Sequence, residues 1–243
     1  MNFIKCFALL TVFYFASCSP KTQLFETKSS LPVHKNQYVF DNDTLRIEYN
    51  FWANKGLLSY RIINKLDVPV YIDWKKSSFI RNGYKMDYWS DIATTNTSGA
   101  SYSFYRNVWF SESTSNTFKP ERVLFLAPKS FITVERFTIC GRSTPLPTGS
   151  ATATIPVPEH PRKAVKVKSL EYAPSGSPLT FRNFLTYSLT EQLSSENYVD
   201  NSFYVSEVIE MKRMDFFNGS IQTKLGTQLT TTFINPSFFY VDL

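Results

Sequence analysis

The sequence predicts an all-β fold, an antiparallel β-sandwich, on three observations. Aromatic residues make up 16% of the 243, with 22 Phe, 14 Tyr and 4 Trp, and flat or branched side chains pack well on a pleated surface. Apolar and polar residues alternate with period two in several runs, the mark of a strand with one buried face. Turn-forming pairs separate those runs at short intervals, as antiparallel strands require. The length suffices to bury a sizeable core. With 43% hydrophobic residues and only three cysteines, the composition excludes a disordered chain and a disulfide scaffold.

The first element is not part of the fold. Lys5 gives a short basic start, Cys6 to Phe15 form an apolar run, and Ala16 and Ser17 are small. That is the layout of a secretory signal peptide, since a bilayer-spanning helix needs roughly 20 apolar residues. Phe15-Ala16-Ser17-Cys18 then resembles the lipobox of bacterial lipoproteins, with Phe where Leu is usual. The resemblance implies cleavage before Cys18, a thioether-linked diacylglycerol on its sulfur and a further N-acyl chain such as palmitate. The membrane is then a partner through Cys18, because two or more chains anchor stably where one binds marginally. Residues 1–17 are thus a lipoprotein signal peptide, and 18–35, polar and without sustained periodicity, read as a flexible tether. No acidic run follows Cys18, which favours the periplasmic face of the outer membrane over the cell surface.

Residues 36–243 read as the sandwich domain. Leu45, Ile47, Tyr49 and Phe51 alternate with Arg46, Glu48, Asn50 and Trp52. Asn54-Lys55-Gly56 supplies a turn, and Leu58, Tyr60 and Ile62 complete a hairpin. Pro69 cannot donate to a central ladder, so Asn64 to Pro69 forms a corner before the strand Val70-Tyr-Ile-Asp-Trp74. Asn82-Gly83 between strand-like runs signals a tight hairpin. Residues 90–103, rich in Ser and Thr, read as a loop, followed by strands at Ser103–Phe110, Arg122–Leu126 and Phe131–Cys140. Five prolines between 143 and 161 mark a long extended loop. Strands return at Ala164–Tyr172, Leu179–Leu189, Ser202–Met211 and Thr230–Tyr240, with one or two helical turns at Thr190–Asn197.

The segment Leu57 to Trp74 resembles the second-to-third-strand corner of immunoglobulin-like domains, where an Asn ends one strand and a Pro begins the next. An immunoglobulin-like antiparallel sandwich is therefore the expected fold, with Trp74 at the far end of the third strand. The anchor, the aromatic-rich sandwich and the segment Asn64-Lys…Asp67-Val-Pro69-Val-Tyr-Ile-Asp-Trp74 together resemble envelope lipoproteins of the Bacteroidota type, a resemblance that confers no activity. Asp43-Thr44-Leu45 resembles the O-glycosylation acceptor of that group and puts a glycan on Thr44. An ordinary turn before a strand is the competing reading.

Candidate chemistry is sparse. His34 and His160 are the only histidines, and neither has a second ligand at metal-binding spacing. No nucleophile elbow, phosphate loop or dinucleotide fingerprint occurs, so no catalytic residue, metal or cofactor is expected. Glu207 and Glu210 lie three apart on a strand and so face opposite ways. Cys140 ends an apolar strand and reads as a core residue. The formal charge of +6 is scattered, and no nucleic-acid-binding pattern appears. Trp89 and Trp109 flank the Ser/Thr-rich stretch as candidate aromatic contacts. The expected role is a non-enzymatic accessory module docking an envelope protein, with a carbohydrate-binding surface as the alternative. Replacing Cys18→Ala is expected to abolish metabolic labelling with a fatty acid; a labelled variant would remove the anchor assignment.

Overall fold

The computed structural model describes residues 20–90, 94–104, 108–118, 121–223 and 226–243, with side chains between 91 and 120 outside that description. Cys18 and the signal peptide lie outside the described residues. The strands are, in chain order, β1 (Lys21–Ser29), β2 (Val33–His34), β3 (Gln37–Asp41), β4 (Leu45–Asn50), β5 (Leu57–Asn64) and β6 (Val70–Arg81). They continue with β7 (Tyr84–Asp87), β8 (Thr94–Phe104), β9 (Val108–Phe118), β10 (Val123–Leu126), β11 (Phe131–Thr138) and β12 (Ala151–Val157). The last are β13 (His160–Glu171), β14 (Thr180–Ser188), β15 (Asn197–Lys212), β16 (Gly219–Thr223), β17 (Gly226–Thr230) and β18 (Phe238–Asp242). One short helix, α1 (Arg213–Phe216), follows β15.

Two antiparallel sheets form the sandwich. The larger runs β10-β6-β14-β15-β1-β18, with β7 beside β6 and the β12–β13 hairpin joined through β13 to β15. The smaller runs β11-β5-β4-β3-β2. Reading β4, β5, β6, β11, β14 and β15 as strands A, B, C, E, F and G gives sheet orders E-B-A and C-F-G. That partition is the one immunoglobulin-like sandwiches use. The chain changes sheets at the Asn64–Pro69 corner. Asn64 is buried there; its Nδ2 lies 2.9, 3.2 and 3.0 Å from the carbonyl oxygens of Val68, Leu126 and Ala127, and its Oδ1 accepts from the Leu66 amide. One side-chain amide thus satisfies backbone groups that a buried corner would otherwise strand.

The inner faces meet in an aromatic core in which Phe51, Phe181 and Phe203 pack with centroids 5.0–5.2 Å apart. Inside it, Asn183 and Asn201 both donate to the Tyr49 hydroxyl, at 3.1 and 2.7 Å, and Tyr88 donates to Asn183. Burial raises the pKa of Tyr49 and Tyr88 well above the usual phenol range, so both stay neutral, Tyr49 accepting and Tyr88 donating in this cluster. A second apolar cluster lies on the outer face of the large sheet, where Leu24, Val167, Ile209 and Met211 are covered by Phe216 and Phe233.

Several expectations are corrected. Within the expected flexible tether 18–35, Lys21–Ser29 is instead a strand: β1 is paired to β15 on one side and to β18 on the other. Leu24 feeds the outer cluster while Phe25 feeds the sandwich core, and a strand buried on both faces has no period-two signal. Its polar residues are occupied, Gln23 exchanging hydrogen bonds with the Thr144 backbone and Thr27 donating to the Ser237 carbonyl. The sandwich therefore begins at Lys21, not at 36. The proline-rich stretch 143–161 contains β12, and Pro156 is tolerated because, among the described residues, β12 pairs only with β13 and needs no donor on its other edge.

The Ser/Thr-rich stretch 90–103 forms most of β8, paired along its length with β9, since threonine favours extended backbone. The expected strand Ser103–Phe110 instead spans the end of β8 and the start of β9. Thr190–Asn197 makes turns rather than helix, and Thr230–Tyr240 is broken between β17 and β18. Trp74 sits within β6, because a bulge after Asp73 carries the strand on to Arg81. The Asn82-Gly83 hairpin stands as read, with φ of 47° and 79°.

Gly56 ends the turn before β5 at φ 67°, and a Cβ there would lie 2.9 Å from Phe239 Cγ and 3.0 Å from Ile139 Cβ. Left-handed strain and overpacking act together. Gly56→Ala is expected to cost about 2–4 kcal/mol in denaturant unfolding; a change below roughly 0.5 kcal/mol would contradict the packing described.

Candidate interaction surfaces

The outer face of the C-F-G sheet carries an aromatic strip. Tyr71 stands opposite both Phe125 and Ser188, and Thr186 stands opposite Tyr198. Since Ser188, Thr186 and Phe184 share one face of β14, Tyr71, Phe125, Phe184 and Tyr198 point the same way. Tyr71 and Phe125 meet edge to face at 5.7 Å, and Phe184 stacks on Tyr198 at 5.6 Å. Phe125 and Tyr198 are each 57% exposed. A shallow cleft of about 560 Å³ opens beside Tyr71, Val123, Phe125 and Glu191. Among the described residues β10 pairs with β6 alone, which leaves an apolar Val-Leu-Phe-Leu edge.

The base of that edge is pinned electrostatically. Asp73, with its side chain 1% exposed, accepts from Arg122 Nη2 at 2.9 Å and from the Lys75 amide at 3.0 Å. Arg122 opens the segment that runs into β10, and the Trp74 amide donates to its carbonyl at 2.9 Å. A charge buried without such a partner would be costly. The β8–β9 hairpin leaves the chain between β7 and β10. Its register places Tyr102 opposite Phe110 and Phe104 opposite Val108.

The sequence-predicted residues fall as follows. Trp89 is half-buried just after β7, with the Lys75 ammonium 5.7 Å from its ring centroid. Trp109 lies in β9 opposite Ser103, and its side chain is outside the described residues. Thr44 leads into β4 in a turn capped by Asn42, whose Oδ1 accepts from the Thr44 and Leu45 amides at 3.0 and 2.7 Å. Cys140 belongs to the core cluster; burial raises its thiol pKa, and its Sγ donates to the Arg142 carbonyl. His34 and His160 are exposed in β2 and at the start of β13. Among the described residues no group of three or more His, Cys, Asp or Glu could hold a metal ion. No helix among them is long and apolar enough to cross a membrane.

Two features escaped sequence reasoning. Register brings Glu26, Glu207 and Glu171 into one row across β1, β15 and β13, on the outer face. They line a cleft of about 450 Å³ with Lys28, Tyr172 and Ser206. Burial, together with the charges of Glu26 and Glu171, raises the Glu207 pKa against the opposing hydrogen bond of Ser169. Glu207 and Glu210 do face opposite ways: Glu210 lies with Gln23 and Lys168 on the other side of the sheet. The second missed feature is that basic side. Lys166 and Lys168 of β13 line a cleft together with Lys21 and Lys212.

No protein-family profile, curated protein or solved structure matches the chain.

Like charges directly opposite on a sheet destabilise it, and Glu207 is the shared member of two such pairs. A carboxylate whose folded pKa is raised favours folding at low pH and loses that contribution as pH rises through the folded value. Glu207→Gln is therefore expected to stabilise the protein at pH 7 by up to about 1 kcal/mol. The gain should fade as pH falls through the raised folded value and be gone once pH is below the unfolded glutamate range. Urea midpoints across pH check this, and a destabilised variant at pH 7 would show that the row is held by something other than its own repulsion.

Proposed function

We propose that the protein is a lipid-anchored component of the bacterial cell envelope, held at the periplasmic face of the outer membrane through Cys18. In this reading the sandwich serves as a non-enzymatic docking module for another envelope protein. One observation carries the docking role: the aromatic strip of Tyr71, Phe125, Phe184 and Tyr198 adjoins the apolar edge of β10, which is unpaired among the described residues. A partner strand added to that edge would gain main-chain hydrogen bonds, and the adjoining rings would supply side-chain pockets. Exposed aromatics flanked by ion pairs such as Arg182–Asp200 have the composition of interface anchors. Thr44 remains the proposed glycan acceptor within this reading.

The glutamate row favours a second reading, acid–base hydrolysis of a glycoside. Side chains directly opposite on neighbouring antiparallel strands stand about 5 Å apart, near the carboxyl spacing of retaining glycosidases, and Glu207 has a raised pKa.

Photo-cross-linking in intact cells separates the two. A photoreactive residue at Phe125 or Tyr198 is expected to trap one recurring envelope protein, whereas the same residue at Glu135 on the opposite sheet should not. Phe125→Asp in a chain labelled at Tyr198 should lower the yield at least tenfold. Equal capture from Glu135, or none from either strip position, would overturn the docking role. Turnover of a fluorogenic glycoside panel that Glu207→Gln removes would select the hydrolytic reading.

A further inference from the structure

The start of the sandwich is strongly basic. Lys21 stands opposite Lys212 on β15, and Lys168 stands opposite Glu210. Extending that ladder brings Lys166 level with Lys212, so Lys166, Lys212 and Lys21 form a row across β13, β15 and β1. All four lysines are exposed and line one shallow cleft of about 210 Å³. The carboxylate among them, Glu210, is already engaged: Lys21 donates to it at 2.6 Å and Gln23 at 3.2 Å. Burial alone would raise its pKa, but these hydrogen bonds and the charges of Lys21 and Lys168 hold it below the usual range.

Asp242, at the same end, is engaged as well: it is bound by Arg213 at 2.9 Å and by the Thr22 hydroxyl at 3.0 Å. Asp215 lines an adjoining cleft whose other ionisable groups are His160, Arg162 and Lys163. The balance is positive by several charges. Met214, 84% exposed, projects from the same end.

The position of this surface in the chain gives it an occupant. Backbone bonds from Arg213 to Pro20 and from Leu243 to Lys21 fix where the chain enters the fold. Cys18 precedes Lys21 by three residues, a span of at most about 10 Å. The Debye length at physiological ionic strength is roughly 8 Å. A lipid on Cys18 would therefore hold these lysines within reach of the headgroup potential, where each contributes about 1 kcal/mol of attraction. A long flexible tether would not.

We infer that the Lys21–Lys166–Lys168–Lys212 surface docks on the anionic phospholipid bilayer that holds the anchor, and so fixes the orientation of the sandwich on the membrane. The occupant rests on the lipid-anchor reading, but the binding itself does not need the lipid. The chain from Ser19 contains every described strand and both apolar clusters, so it carries the surface without the signal peptide or the acyl groups.

Sedimentation of that chain with vesicles, either phosphatidylcholine alone or with 30% phosphatidylglycerol, tests the inference. Binding is expected only to the anionic vesicles and should fall steeply between 50 and 300 mM salt. One lysine is worth about a tenfold factor at most, roughly fivefold at 1 kcal/mol. The triple variant Lys166→Gln, Lys168→Gln, Lys212→Gln should therefore bind about 100-fold more weakly. A control with the same net charge, Lys65→Gln, Lys85→Gln, Lys129→Gln, should bind as the parent does, and circular dichroism verifies that both variants fold. Absent binding, equal binding to both vesicle types, or equal loss in the two triple variants would each overturn the docking surface. None of these outcomes bears on whether Cys18 takes a lipid, which fatty-acid labelling reads separately.

Discussion

Strand β15 sets the constraint that the rest of the structure serves. Its sixteen residues point their backbone donors and acceptors toward one edge and then the other in alternation, and a buried strand cannot leave either edge unpaired. β1 covers one edge, from Lys212 to Phe203. The other edge is too long for a single partner, so β14 takes Asn197 to Tyr204 and β13 takes Glu207 to Glu210. Handing over between partners forces β13 to leave the sandwich, and the proline-rich segment supplies its own hairpin partner, β12. The outer apolar cluster then follows, since Leu24, Val167 and Ile209 emerge on a face the second sheet never covers and need Phe216 and Phe233 as a roof.

What could be read from the sequence was what period and turn chemistry encode. β4 and β5 alternate cleanly because each has one face on the core, and Asn82-Gly83 announced its hairpin because both residues accept positive φ. β1 was illegible for the opposite reason. Thr22, Gln23, Leu24 and Phe25 are all buried, so its polar residues are satisfied by partners far along the chain, and nothing local distinguishes it from a polar tether. Trp74 was misplaced because a bulge, which no residue type announces, extends β6 beyond it. The charged rows were invisible in principle. Glu26, Glu171 and Glu207, like Lys21, Lys166 and Lys212, meet only through register, and register is a property of the sheet.

The same register explains how one strand serves two surfaces. Glu207 and Glu210 are three residues apart, so the alternation of side chains sends them to opposite faces. One joins the carboxylate row and the other sits among the lysines. Lysine partners hold Glu210 ionised, while Glu207 faces like charges and has its pKa raised. Two glutamates of one strand therefore differ in proton affinity because of the strands beside them.

Strand order also separates the two proposed contacts. Lys21 begins β1, and four strand spacings lie between β1 and β10 along β15, β14 and β6. At about 4.8 Å each, the apolar edge stands roughly 19 Å from the anchoring strand. In the proposed orientation, a surface fixed at the membrane by β1 would leave Phe125 clear of the headgroups by this strand spacing, and Tyr198 clear because it lies at the other end of β15 from Lys212. The pairing of β1 within the expected tether is what the proposed orientation depends on. In the proposed reading, a sandwich on eighteen loose residues could present any face, whereas one that starts three residues after an acylated Cys18 would be confined to the few orientations in which its basic end lies against the lipid.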